Sequence, residues 1–194
     1  MLTFNPLLPT NTLEAVNLAL SYMREPPVDD LALINTSFPV MTAYANLMQQ
    51  TRFEQVRGWF FNTPTKTFTP NAEGRIVFET NVIDVQPDRD DISPQETVPI
   101  LSGSKLINAY DGSDVWTKPL KLKTVVLVSF EAMPEAFKIY VAIKNAALCG
   151  MQVSEDIALS EYHQREFLRA EAERTELELR ANPVNFFSTI PGPR

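Results

Sequence analysis

The residues able to do chemistry in this chain are few, and their spacing narrows what that chemistry could be. Among 194 residues there is one histidine, His163, and one cysteine, Cys149. A zinc site draws on several His and Cys ligands, and a Ser-His-Asp relay needs an oriented base, so a lone histidine within SEYHQREFLRAEAER reads as a solvated helix residue. Cys149 stands in an apolar run and reads as a small core residue rather than a nucleophile. Asp88, Asp90 and Asp91 could attract a cation, but QPDRDDISPQET lacks the glycine and distal glutamate of an EF-hand and reads as a mobile surface loop. The six glycines form neither a phosphate-cradling loop nor a dinucleotide fingerprint. Glycoside hydrolysis needs two acids flanking one bond, and a chain with 24 acidic residues always offers pairs without singling one out. No catalytic, cofactor-binding or metal-binding residue is therefore expected, and no cofactor.

Composition bounds the partners. A net charge of -7 and 44% hydrophobic residues describe a chain able to bury a sizeable core, with a surface that repels phosphates rather than gathering them. The start, MLTFNPLLPT, lacks the basic n-region of a secretory signal. The best apolar run is punctuated by Lys138 and Lys144, so no membrane span is expected. A soluble, reducing setting follows as the expectation.

The elements that would position any site read in three blocks. Asn11 is a candidate N-cap with Glu14 in capping-box position, and Leu13, Val16, Leu20 and Met23 give a first helix its stripe before Pro26 and Pro27 stop it. Ser37 and Pro39 start a second helix with Val40, Ala43, Tyr44, Leu47 and Met48 on its apolar face, and Gly58 is expected just past its end. Trp59 and Phe61 follow as a structural wedge. Short β-like runs then appear at Ile76–Phe78, Val82–Val85, Lys105–Tyr110 and Leu120–Phe130, with Asp111-Gly112 as a hairpin turn signal. The run VVLVSF is apolar on both faces, which predicts a strand covered on both sides or a β surface that meets a partner.

Met133 to Gly150 is a nearly all-apolar helix, expected to be central and to close at Gly150. Ser154, Glu155 and Asp156 open the last helix. At about 100° per residue, Ile157, Leu168, Ala172 and Leu179 form one stripe of it, while Leu159, Phe167, Ala170, Leu177 and Ala181 form another nearly opposite. One stripe is expected to face the chain's own domain and the second, with Leu159, Phe167, Ala170 and Leu177, a neighbouring subunit. Glu161 with Arg165 and Glu176 with Arg180 are oriented ion pairs on the remaining surface. Pro183, Pro191 and Pro193 forbid a helix in the tail, whose Phe186, Phe187 and Ile190 are expected to dock on the chain itself or on a partner.

The expected architecture is α+β: a four-helix layer or bundle over 11–62 and 131–182, a β-rich subdomain inserted at 63–130 between helices 2 and 3, and an extended C-terminal tail at 183–194.

Four stretches together resemble the tail tubular protein A family of T7-like short-tailed phages. They are Leu13, Ala15, Val16, Asn17 and Leu20 with Glu25-Pro26-Pro27-Val28; Arg57-Gly58-Trp59 with Phe61-Asn62; Met133-Pro134-Glu135 with Phe137; and the acidic, Arg- and Ala-rich run from Glu161 to Arg180. The β region and the tail depart from that pattern, as does Arg24, where a glycine is familiar. The resemblance implies a non-enzymatic virion protein assembled in the host cytoplasm. It would be a tail adaptor forming a homo-oligomer ring, a dodecamer, between the portal protein and the tail nozzle (tail tubular protein B). The ring would be a conduit through which DNA passes without specific binding, for genome ejection and host entry. The alternatives are a head-completion connector of another tail type and a carboxylate-dependent polysaccharide hydrolase.

Overall fold

A computed structural model of the chain describes residues 9–87, 97–153 and 157–181. These form a mixed α+β protein whose residues divide into two compact units, one drawn from Met1–Gln50 and Phe130–Arg194, the other from Thr51–Ser129.

In the first unit, α1 (Thr12–Tyr22) begins where the extended Asn11 accepts the Glu14 N–H at 2.9 Å. Glu14 reaches one residue farther back than a capping box does, accepting the backbone N–H and hydroxyl of Thr10 at 2.6 and 2.8 Å. The backbone N–H bond foremost holds the Glu14 carboxyl below its usual range. The helix ends in a paired turn: Arg24 N–H donates to Ser21 O and Glu25 N–H to Leu20 O, with Arg24 at φ 62. A left-handed backbone is what a glycine would supply at this position. Beyond Pro26 and Pro27, the buried Asn17 amide grips the chain, donating to Val28 O and accepting Val28 N–H, both at 2.8 Å.

α2 (Phe38–Gln55) buries Val40, Ala43 and Leu47, the spacing of one helical face. α3 (Glu135–Val153) is buried nearly all round, from Phe137 through Tyr140 and Ile143 to Cys149, and packs on α1 and on α4 (Ile157–Ala181). Asn145, fully buried, donates to Ala43 O of α2 at 3.0 Å. Gly150 does not close α3; it lies inside the helix, buried, and the helix runs on to Val153. The residues expected to start α4, Ser154 to Asp156, lie outside those described.

The second unit carries β1 (Thr65–Phe68), β2 (Val82–Pro87), β3 (Pro99–Ser102), β4 (Lys105–Asn108) and β5 (Leu120–Val126). β1, β5 and β2 form an antiparallel sheet in that order, and β3 and β4 a separate hairpin. β5 keeps the expected alternation, Leu122 and Thr124 buried and Lys121 and Lys123 exposed, but stops at Val126 because Phe130 opens a 3₁₀ turn. Ile76–Phe78 contributes only a bridge from Val77 to Lys105. The hairpin turn is Gly103-Ser104, between the paired Ser102 and Lys105, with Gly103 at φ 61. Asp111-Gly112 is a turn as well, with Gly112 at φ 74 and its N–H on Asn108 O, but the next strand begins only at Leu120. Ile76, Phe78, Val85, Leu106, Trp116 and Leu122 form this unit's core, where the Trp116 indole N–H meets Leu106 O at 3.0 Å.

The segments that open and close this unit are laced together. Gln55, at the end of α2, donates to Val128 O at 2.9 Å and accepts Val128 N–H at 2.7 Å. Asn62 donates to Gln55 O, Val126 N–H reaches Asn62 O, and Thr124 N–H reaches Pro64 O. Gly58, at φ 73, lets the chain turn inside this lacing, since a Cβ there would stand 3.0 Å from Thr63 Cγ2 and 3.2 Å from Val125 Cγ2.

Two substitutions check these backbone arguments by urea unfolding. Arg24→Gly relieves a left-handed non-glycine residue and is expected to add about 0.5–1 kcal/mol of stability. Gln55→Ala leaves both polar groups of Val128 without the clamp and opens a gap, and is expected to cost about 2–3 kcal/mol.

Candidate functional site

Among the described residues no group of three or more His, Cys, Asp or Glu is placed to hold a metal ion, and no helix is long and apolar enough to cross a membrane. Asp88, Asp90 and Asp91 lie outside the described residues. Cys149 is buried, accepts from Asn46 Nδ2 at 3.5 Å and has its thiol pKa raised by burial, so it belongs to the packing between α2 and α3.

The best-defined surface is on α4. Its inner side is built around Tyr140 of α3. The Phe167 ring lies tilted against Tyr140 with centroids 5.7 Å apart, and the Arg174 guanidinium stands 4.6 Å over the same ring. Seven residues separate the two along α4, so both project from one side, and Ala170 between them on that side is buried, 3% exposed. Arg174, itself 4% exposed, keeps Glu171 at 3.8 Å. An arginine stacked on an aromatic face can be buried because its charge is delocalised and weakly hydrated.

Phe167 and Ala170, expected to face a neighbouring subunit, therefore lie against α3 of their own unit, and the half-buried Leu177 lies on that same side of α4. α3 supplies an aromatic ring at this point, and the Phe and Arg on α4 bracket it. Leu159 lies in α4, its side chain outside what is described, and Phe186, Phe187 and Ile190 fall beyond the described residues. Arg174 was not legible as a core residue, because a run of alternating charges does not say which one is buried; its sevenfold spacing from Phe167 is the only signal.

The outer side of α4 carries Leu168 and Leu179, 54% and 57% exposed. Ala172 and Thr175, both exposed, fall between them, and the steps of four, three and four residues keep all four on one line along the helix. Thr175 donates its hydroxyl to Glu171 O at 2.8 Å, so it presents its methyl outward. Arg169 with Glu173 and Glu176 with Arg180 are exposed ion pairs on the flank of this line. Arg165 donates to the backbone carbonyl of Glu161 rather than to its carboxylate.

Tyr22 at the end of α1 approaches Tyr162 and Glu166 of α4. Burial first, then those two neighbours, push the Tyr22 phenol up to about 12.

In the second unit an open groove of about 460 Å³ runs over the sheet, lined among others by Phe61, Phe68, Val82, Val126 and Val128. The Trp59 indole N–H donates to Glu54 O at 2.6 Å and its backbone N–H to Asn62 Oδ1 at 2.7 Å, while the Phe60 and Phe61 rings meet edge to face at 5.7 Å. Trp59 thus stiffens the turn after α2, and Phe61 forms part of the groove wall.

An α+β subunit whose best-defined feature is a helix docked on one side and apolar on the other belongs with proteins that assemble. The sequence pattern of the tail tubular protein family matches residues 13–184, nearly the whole chain, and the chain belongs to that family. It is therefore a structural component of a phage tail. No curated protein matches the sequence.

The Tyr22 environment gives a pH dependence. Below pH 10 the phenol is neutral whether folded or unfolded and has no effect. Between pH 10 and about 12 the unfolded chain ionises first, so stability falls as pH rises. Spectrophotometric titration of the folded chain is expected to show a tyrosine phase near pH 12, and Tyr22→Phe to remove that phase and reduce the alkaline loss of stability.

Proposed function

We propose that this chain is the tail adaptor of a short-tailed phage: a non-enzymatic subunit that forms a ring, a dodecamer, joining the portal to the tail nozzle and leaving a central conduit for DNA. The observation that carries this reading is the outer line of α4, Leu168, Ala172, Thr175 and Leu179, exposed on a helix whose opposite side is already docked. A ring is made by a head-to-tail contact, in which a surface on one subunit meets a different surface on the next. The outer line of α4 is assigned as one of these two surfaces. The sheet groove beside Phe61 is available as a surface for the nozzle or for a neighbour. In this reading α1 to α4 make one helical layer into which the β-rich unit is inserted, and the tail with Phe186, Phe187 and Ile190 supplies further contacts. A net charge of -7 suits a conduit, because an acidic wall lets phosphates slide rather than bind.

The test is to mix the purified protein with portal protein and image the product. Rings seated on the portal are expected. Leu168→Asp with Leu179→Asp should reduce ring yield at least tenfold while circular dichroism and the urea midpoint stay within error, since both side chains are exposed in the subunit. Absence of rings with the unaltered chain would overturn the adaptor reading, and full assembly by the double variant would remove α4 from the interface.

A further inference from the structure

We propose that the outer side of α2 is the second ring surface, and that α4 of one copy packs along α2 of the next. The assignment rests on the adaptor reading and supplies the other surface that a head-to-tail contact needs besides the outer line of α4. α2 is one continuous helix, held on its inner side, where Val40, Ala43 and Leu47 are buried and Ala43 O accepts the Asn145 amide of α3. At about 100° per residue the opposite side carries Phe38, Met41, Ala45, Gln49 and Phe53, all exposed. Phe38, Met41 and Phe53 are 74%, 43% and 59% exposed. A single apolar side chain on a surface is ordinary, whereas several along one helix side mark a surface that meets another protein.

The two helices match in spacing. Leu168 and Leu179 stand about 17 Å apart along the axis, with Ala172 and Thr175 between them. Met41 and Phe53 stand about 18 Å apart, with Ala45 and Gln49 between them. In both helices an alanine comes one turn after the first bulky residue. Helices with that pattern approach most closely where Ala45 meets Ala172, while the bulky side chains at the ends interdigitate. Their charges are complementary as well. Glu54 is buried, so the exposed charge of α2 is Arg52 alone. Beside the α4 line, Glu171, Glu173, Glu176 and Glu178 outnumber the exposed Arg169 and Arg180. Two α4 lines face to face would set acids against acids, so the pairing of unlike helices is favoured, and unlike surfaces repeat around an axis instead of closing as a dimer.

The experiment mixes two full-length chains with portal protein, one carrying Ala45→Cys and the other Ala172→Cys, so that only a bond between copies can join the two helices. Cys149 stays in place, being buried. Under mild oxidation the mixed covalent dimer is expected to form at least tenfold faster than when Glu173→Cys, off the line, replaces Ala172→Cys. Adding Phe38→Asp to the Ala45→Cys chain should slow it several-fold while the urea midpoint stays within error; an unchanged rate would overturn the pairing. Rings on portal with equal rates for Ala172→Cys and Glu173→Cys would overturn it too, and so would faster dimers from either chain alone, which would mean that like surfaces meet. If the unaltered chain forms no ring on portal, the adaptor reading has failed. The same mixture at high concentration without portal then decides the helix pairing, which would be overturned by the lack of any preference for Ala172→Cys.

Discussion

Much of this fold depends on one constraint: irregular backbone between elements must have its polar groups satisfied where water is scarce, and here side-chain amides do it. Asn17 holds Val28 after the Pro26-Pro27 stop, and Gln55 holds Val128 where the second unit closes, each with a donated and an accepted bond. Asn62 ties the turn after α2 to Gln55, and Asn145 ties α3 to a carbonyl of α2. A buried carbonyl or N–H left without a partner costs more than the bond adds when made. An amide is the side chain that can serve both kinds of group at once without charge. After α1 the Pro26-Pro27 pair adds to the need, since neither ring nitrogen can donate a backbone bond.

How much of this was legible in the sequence follows from the same physics. Periodicity placed α1, α2 and α3 well, because a helix that buries one face, or all of them, records the fact every three or four residues. Strand β5 was legible from its alternation, whereas β1 and β3 were not: TKTF and PILS are four residues each, one mostly exposed and the other opened by a proline. The hairpin turn went to Asp-Gly by chemistry alone, yet Gly103-Ser104 makes it, because a turn signal says the chain can reverse and not that a strand follows. Gly150 misled for a related reason. Glycine ends helices when its backbone turns left-handed, but inside α3 it is simply the smallest residue in a crowded helix. The amide clamps left no pattern at all, since one asparagine or glutamine looks like any other until its partner backbone is known.

On α4 the sequence yielded two apolar stripes but not which faced inward. Hydrophobicity alone favours Leu168 and Leu179 as the buried pair. The inward side is instead the one with Phe167, Ala170 and Arg174, because what counts is complementarity to Tyr140 of α3: a ring to lie against it and a guanidinium to cap its face. A stacked ring and cation fix both the rotation and the axial position of α4, which a leucine seam would leave free to slide by a turn.

That choice has a consequence for assembly. A helix that must present a defined surface to a neighbour has to be held from its other side by contacts that specify orientation, or the presented line would wander. Leucines are suited to the opposite task, since they bury area without demanding one geometry, and four in-line positions stepping by four, three and four match the groove of another helix or an extended apolar segment. Specific contacts inward and adaptable ones outward are thus the division of labour that the proposed ring would require of α4. The sequence of α4, with its aromatic and buried arginine on one side and its leucines on the other, is written to that division.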